Sequence, residues 1–167
     1  MKNLNKKRIF RYNRRIRGLT DYNQRLKLLK SGLTRAVVRK SNKNMLVQLV
    51  EYNPLGDVVK TSAKSDELKK YGFNLNTGNI TAAYLTGYLA AKKAKTKEDV
   101  IVDFGLQEVQ QGNRLYAAVK GLLDGGVNVR VSENVFPDES RIRGEHLSGK
   151  DAASVFDKVI KNMEGKK

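Results

Sequence analysis

The sequence predicts an α/β sandwich built around a mixed sheet, and three observations predict it. Residues 34–41, 45–52 and 57–64 are strand-like runs parted by Asn42-Lys43-Asn44 and by Asn53-Pro54-Leu55-Gly56, the pattern of an antiparallel meander. Beyond them the chain alternates: apolar side chains at helical spacing over 80–91 and 115–122 are interleaved with a buried strand beginning at Val100-Ile101-Val102 and a strand at 127–131, which calls for strands and helices packed in layers. A chain of 167 residues suits one domain of ordinary size with a single core.

Taken in order, residues 1–18 interleave bases with Ile9, Phe10, Tyr12 and Ile16, too few apolar groups to close a core. They are expected to form a flexible arm ahead of an α/β domain over 19–167. Thr20 or Asp21 caps a helix with Tyr22, Leu26 and Leu29 on one stripe, Arg25, Lys27 and Lys30 on its wetter faces, and Ser31-Gly32 at its end. Along the first strand, Arg35, Val37 and Arg39 share one face while Ala36, Val38 and Lys40 share the other. A short helical turn is expected at 65–70. Thr77 then caps a long helix in which Ile80, Ala83, Tyr84, Gly87, Tyr88 and Ala91 form a stripe that Leu85 and Leu89 widen, so most of it should be buried. Leu115, Ala118, Val119 and Leu122 mark a helix ending at Gly125-Gly126. Ala152, Val155, Phe156, Val159, Ile160 and Met163 mark the closing one, with Ser148 or Asp151 near its start.

The charge is lopsided. Fifteen of the 33 Lys and Arg fall in residues 1–43 against one acid, Asp21, so this stretch carries +14 of the +16 formal charge. Such an end attracts a polyanion, because each base docked on a phosphate releases condensed counterions. The absence of cysteine excludes disulfides, thiolate metal sites and thiol nucleophiles. No apolar run approaches the roughly 18 residues of a membrane span, and the N-terminus lacks the apolar core of a secretory signal. A cytoplasmic protein without a membrane partner is expected.

Patterns that look catalytic lack their supporting features. Gly144-Glu-His-Leu-Ser-Gly149-Lys150-Asp151 approaches a phosphate-binding loop but ends in Asp where Ser or Thr should hold magnesium. Asp103-Phe104-Gly105 matches the metal-holding tripeptide of protein kinases without the rest of that signature, and reads as a strand end. A metal-dependent nuclease needs several converging acids, which the neighbourhood of Asp103 does not supply. His146 is the only histidine, so histidine metal clusters are impossible. No cofactor, no metal and no enzymatic activity are expected.

Four segments remain: Thr20-Asp21-Tyr22 with Arg25-Leu26, Val38-Arg39-Lys40-Ser41-Asn42, Thr77-Gly78-Asn79 leading to Ala82-Ala83-Tyr84-Leu85-Thr86-Gly87, and Arg141-Ile142-Arg143-Gly144-Glu145-His146. In this order and spacing they resemble the archaeal and eukaryotic branch of large-subunit ribosomal protein eighteen, the family that binds 5S ribosomal RNA. The resemblance runs through nearly the whole chain and favours an archaeal-like source. It implies a three-layer α/β/α domain related in fold to ribonuclease H without nuclease chemistry. Its implied partners are 5S rRNA, the large-subunit rRNA and neighbouring proteins of the central protuberance. Leu19, before Thr-Asp-Tyr, and the strongly basic Arg141-Ile142-Arg143 depart from the family pattern.

The residue chemistry offers matching contacts. Lys6, Lys7, Arg8, Arg11, Arg14, Arg15 and Arg17 are suited to thread along phosphates, the guanidinium forks giving paired hydrogen bonds and Lys a point charge. Phe10 and Tyr12 are placed to stack on unpaired bases, and Tyr22 either stacks or packs under its helix. Arg35, Arg39, Lys40, Ser41, Asn42 and Lys43 form a second expected surface across the first two strands and their turn, although Lys and Arg on a strand edge also deter aggregation, and Arg25 of the first helix is a further expected RNA contact. Thr77, Gly78 and Asn79 present backbone N–H groups that either receive a phosphate or simply cap a helix. Arg141, Arg143 and His146 form a third expected contact, in a mobile loop. A free ribosome-assembly factor with the same basic arm, or less favourably a nuclease on the same scaffold, are the alternatives.

Overall fold

The computed structural model describes residues 12–96, 98–147 and 151–165. The elements run α1 (Asn13–Ile16), α2 (Tyr22–Lys30), β1 (Thr34–Lys40), β2 (Met45–Glu51), β3 (Val58–Lys64), a 3-10 segment Ser65–Tyr71, α3 (Ile80–Ala94), β4 (Asp99–Asp103), α4 (Arg114–Asp124), β5 (Asn128–Val129), a 3-10 turn Glu133–Val135, α5 (Glu139–Arg143) and α6 (Ala152–Gly165). The five strands form one mixed sheet in the order β3-β2-β1-β4-β5. The expected meander β1-β2-β3 is antiparallel, and β4 and β5 add in parallel to β1 and to each other. Only Asp99 and Val100 pair with β5, so that edge strand is shorter than the strand expected over 127–131.

One sheet face makes the core. Ala36 stands between Leu49 and Val102 in register, and with Val38, Val47, Ala63 and Val100 it is buried. Helices α3 and α4 cover this face. Every residue from Thr81 to Ala91 is buried, which agrees with the apolar character all round this helix. Its two tyrosines keep their hydroxyls partnered: Tyr84 donates to Asp124 (2.9 Å) and Tyr88 to Glu164 (2.6 Å). Burial, reinforced by the acceptor carboxylates, raises both phenols, Tyr88 to about 12.

Two helical glycines let α3 and α4 approach backbone to backbone. A Cβ on Gly87 would lie 1.9 Å from the Ala118 carbonyl oxygen, and one on Gly121 would lie 2.0 Å from that of Tyr84. Neither helix could accept a larger residue there without separating.

The caps refine the expectations. Asp21, not Thr20, caps α2, its Oδ1 accepting from the backbone N–H groups of Asn23 and Gln24. Asn79, not Thr77, caps α3, its Oδ1 accepting from the Ala82 N–H at 2.6 Å. Both act on the unpaired N–H groups of a first helical turn. Within the stretch expected to be an unstructured arm, residues 13–16 make one helical turn. Helix α2 departs more: Leu26 of its supposed apolar stripe is 54% exposed, while Arg25 turns inward and is half-buried. The cause is the second sheet face, where Arg35 and Arg39 of β1 and Asp103 of β4 stand among Val37 and Ile101 and draw Arg25 inward with Asp57.

Alanine at Gly87 or Gly121 would be neutral or stabilising in an ordinary helix; here overpacking should cost about 1–3 kcal/mol. Calorimetry should show a melt lowered by several degrees for G87A and G121A. G165A, where a Cβ meets nothing within 4 Å, should leave it unchanged. Equal melting for all three would contradict this packing.

Candidate nucleic-acid interface

The site begins with Arg35, which strand alternation places on the second face beside Asp103 and Ile101 of β4. Its side chain is almost fully buried at 3% exposure, a position tolerable for a guanidinium only with partners. Nη2 donates to Asp57 Oδ2 at 2.7 Å and Nη1 to Asp103 Oδ2 at 3.2 Å. Arg25 reaches across from α2 to the same Asp57 oxygen at 2.8 Å. Four residues along β1, Arg39 Nη2 donates to Asp103 Oδ1 at 3.1 Å, and its Nη1 donates to the Asp103 and Val38 carbonyls at 2.6 and 2.9 Å. Three guanidiniums thus alternate with two carboxylates. For Asp57, burial works against ionisation, but the hydrogen bonds and charges of Arg25 and Arg35 outweigh it and hold the carboxyl below its ordinary range.

This corrects the expectation for Arg35: its guanidinium faces the interior and is a brace rather than a contact. Arg25 and Arg39, by contrast, leave 35% and 38% of their side chains exposed. Arg39 also lies against Gly105, where an added Cβ would sit 3.0 Å from its Cζ. Gly105 takes the left-handed conformation, φ 63°, and its N–H donates to Asp103 Oδ1 at 2.8 Å.

Two segments expected as separate contacts meet. The β1–β2 turn closes through Ser41, whose backbone N–H donates to the Asn44 carbonyl at 2.8 Å. Thr77 Oγ1 donates to the Lys43 carbonyl at 2.7 Å, and Gly78 passes so near that a Cβ would be 2.8 Å from the Asn42 carbonyl oxygen. Arg114, from the start of α4, donates to the Gly78 carbonyl at 2.5 Å. Gln107 secures the strand end: it accepts from the Lys40 N–H at 2.6 Å and donates to the Val38 and Phe104 carbonyls. The exposed side chains of Lys40, Ser41, Asn42 and Lys43 therefore stand beside Thr77, Gly78 and Asn79 as one surface. The Asn79 side chain takes up one of the N–H groups offered there, as the capping reading expects.

The described part of the arm joins from the other side. Arg14 Nε donates to Thr20 Oγ1 at 3.0 Å, and Arg14, Arg25 and Arg39 line a polar cleft with Asp103 and Gly105. The Tyr12 ring is 72% exposed and lies 5.1 Å from that of Tyr22. Arg15 and Arg17 are exposed. Lys6, Lys7, Arg8 and Arg11 lie outside the described residues, as does Phe10.

Arg141, Arg143 and His146 are exposed, but α5 and its turn replace the expected mobile loop. Buried Ile142 anchors this short helix, and Gly144 caps it at φ 83°, so close to α3 that a Cβ would be 2.9 Å from Thr81 Oγ1. Arg143 lies 3.5 Å from Asp157. Residues 148–150 of the phosphate-loop-like stretch lie outside the described residues. Asp103 is engaged by two arginines, and among the described residues no three His, Cys, Asp or Glu side chains are grouped to hold a metal.

Sequence reading passed over Asp57, Gln107 and Arg114. Arg114 carried a signal, since a cation in the first turn of a helix opposes the helix dipole and needs another reason to be there.

A family model described as ribosomal large subunit proteins 60S L5 and 50S L18 matches residues 6–100. Large ribosomal subunit protein uL18 of Methanococcoides burtonii is 48% identical over 154 residues, 89% of each chain. The protein of that name from Korarchaeum cryptofilum is 48% identical over 83% of this chain and 72% of its own, and that from Methanothrix thermoacetophila 43% identical over 92% and 94%. The chain belongs to this family. As a uL18-family protein it is a structural constituent of the large ribosomal subunit rather than an enzyme.

The depressed Asp57 carboxyl contributes stability that is complete above its unfolded value, near 3.8, and is lost as pH falls through the lower folded value. D57N should therefore melt below wild type at neutral pH, and the gap should begin to narrow as the pH drops under about 3.8 and close only below the lower folded value. A gap that persists unchanged at pH 2 would show that Asp57 acts by something other than its charge.

Proposed function

We propose that this uL18-family chain binds 5S rRNA and attaches it to the large-subunit rRNA in the central protuberance, beside neighbouring ribosomal proteins. The observation that carries the reading is the convergence of separate basic segments on the second sheet face and the turn that adjoins it: Arg14, Arg25 and Arg39 around one cleft, and the Lys40–Lys43 turn joined to Thr77–Asn79. Folded RNA offers that arrangement phosphates, 2′-hydroxyls and splayed bases. Exposed Arg and Lys position the backbone without reading sequence. Ser41, Asn42 and Asn79 carry polar groups suited to 2′-hydroxyls, and the outward Tyr12 ring gives a stacking platform. Lys6, Lys7, Arg8, Arg11, Arg15 and Arg17 extend the track from the arm, and Arg141, Arg143 and His146 supply a further basic patch beyond the start of α3.

Filter binding of the full chain to 5S rRNA across a salt series tests the reading. About six phosphate contacts give a slope of log affinity against log salt of about −5, at roughly −0.9 per contact. Deleting residues 1–18 should weaken binding by orders of magnitude. A slope near zero, or an affinity untouched by the deletion, would move the binding site elsewhere.

A further inference from the structure

We propose that Asp57 and Asp103, two carboxylates embedded in the basic surface, are positioning residues for RNA binding: they hold Arg25 and Arg39 in fixed places through and beside Arg35, so that neutralising an acid weakens the grip on RNA. The inference rests on the RNA-binding reading above, and its sign is unusual. By net charge alone, removing a negative group from a surface that meets a polyanion should tighten binding.

The geometry favours positioning. Arg35 cannot itself reach a ligand: it is 2% exposed and its buried Nε has no hydrogen-bond partner. Its two Nη groups are divided between Asp57 and Asp103, which locks the β2–β3 turn and the end of β4 to β1. Each acid then holds one further arginine, and those two are the ones that reach the surface. Arg25 engages Asp57 through Nη2 alone; its Nε and Nη1 make no hydrogen bond among the described residues, so part of the fork is free for a phosphate. A free Arg carries many rotamers, and fixing them on binding costs entropy. A guanidinium already held in its bound orientation avoids much of that cost. The acids thus exchange some long-range attraction for a preorganised array, a gain expected because phosphate contacts act at short range and through geometry.

The test uses the full chain, 5S rRNA, filter binding over a salt series and calorimetry on every variant. Asp57 lies in a partly exposed turn, so D57N is the primary change. The control, E133Q, removes the same charge at an exposed acid with no ion pair among the described residues. D57N is expected to bind about tenfold more weakly, equivalent to one lost charge-assisted contact. Its salt slope should be shallower by about 0.9, one phosphate contact fewer. E133Q should bind as tightly as wild type or tighter. D57N binding equal to or tighter than wild type would overturn the proposal, and so would weaker binding with an unchanged slope, the mark of a merely structural lesion. D57E keeps the charge but displaces it by a methylene: weaker binding supports positioning and unaltered binding opposes it, which decides the matter should D57N fail to fold. If wild type itself does not bind 5S rRNA, the functional reading fails instead, a result distinct from every variant outcome.

Discussion

Arg35 puts a full positive charge inside the second face of the sheet, and a buried guanidinium survives only where carboxylates meet it with good geometry. Its two acids come from distant parts of the chain, Asp57 from the turn before β3 and Asp103 from the end of β4. Satisfying one side chain therefore fixes the turn, two parallel neighbours and, through Arg25, the first long helix. The inward turn of Arg25, the exposure of Leu26 and the polar cleft beneath α2 all follow from that demand. A second face lined with hydrocarbon would have taken α2 by its leucines and left Arg25 in solvent.

The opposite face has the complementary job. There α3 and α4 meet at Gly87 and Gly121 with no room for another carbon, and the sheet presents buried apolar residues to them, among them Ala36, Val38, Met45, Val47 and Leu49. Close packing of this kind transmits little slack. It gives the β1–β2 turn and the loop before α3 a rigid base, and Thr77, Gly78 and Arg114 then tie them together at their tips. Stability sits on one side of the sheet and ligand chemistry on its other side and end, as suits a structural ribosomal protein that must hold its shape while its basic end meets a polyanion.

Much of this was legible in the chain. The meander showed in its turn residues, α3 in its unbroken small and apolar run, and the polarity of the molecule in a charge count. Alternation along β1 correctly paired Arg35 with Arg39 on one face, and away from Ala36 and Val38. What could not be read was how each charge would be used. Arg35 and Arg39 look alike in sequence, yet one is a buried brace and the other a surface group, because the acids that distinguish them stand 22 and 68 residues from Arg35. The same holds for Thr77, a good local cap that is instead drawn to the Lys43 carbonyl, leaving the cap to Asn79. The stripe of α2 misled because an apolar spacing identifies an inner side only when what it packs against is apolar too. Helix α5 escaped notice because five residues give no period, and only the burial of Ile142 and the left-handed Gly144 define it.

The central claim is that a preformed, charge-braced sheet face and the turn that adjoins it receive RNA while the glycine-packed helices behind them stay as they are. Amide hydrogen exchange of the full chain, free and bound to 5S rRNA, tests it most directly. The account predicts new protection in residues 12–25, in the Lys40–Lys43 turn and at Thr77–Asn79, with the α3 and α4 amides near Gly87 and Gly121 unaltered. Protection centred on α3, α4 or α6, with the Lys40–Lys43 turn unchanged, would contradict it.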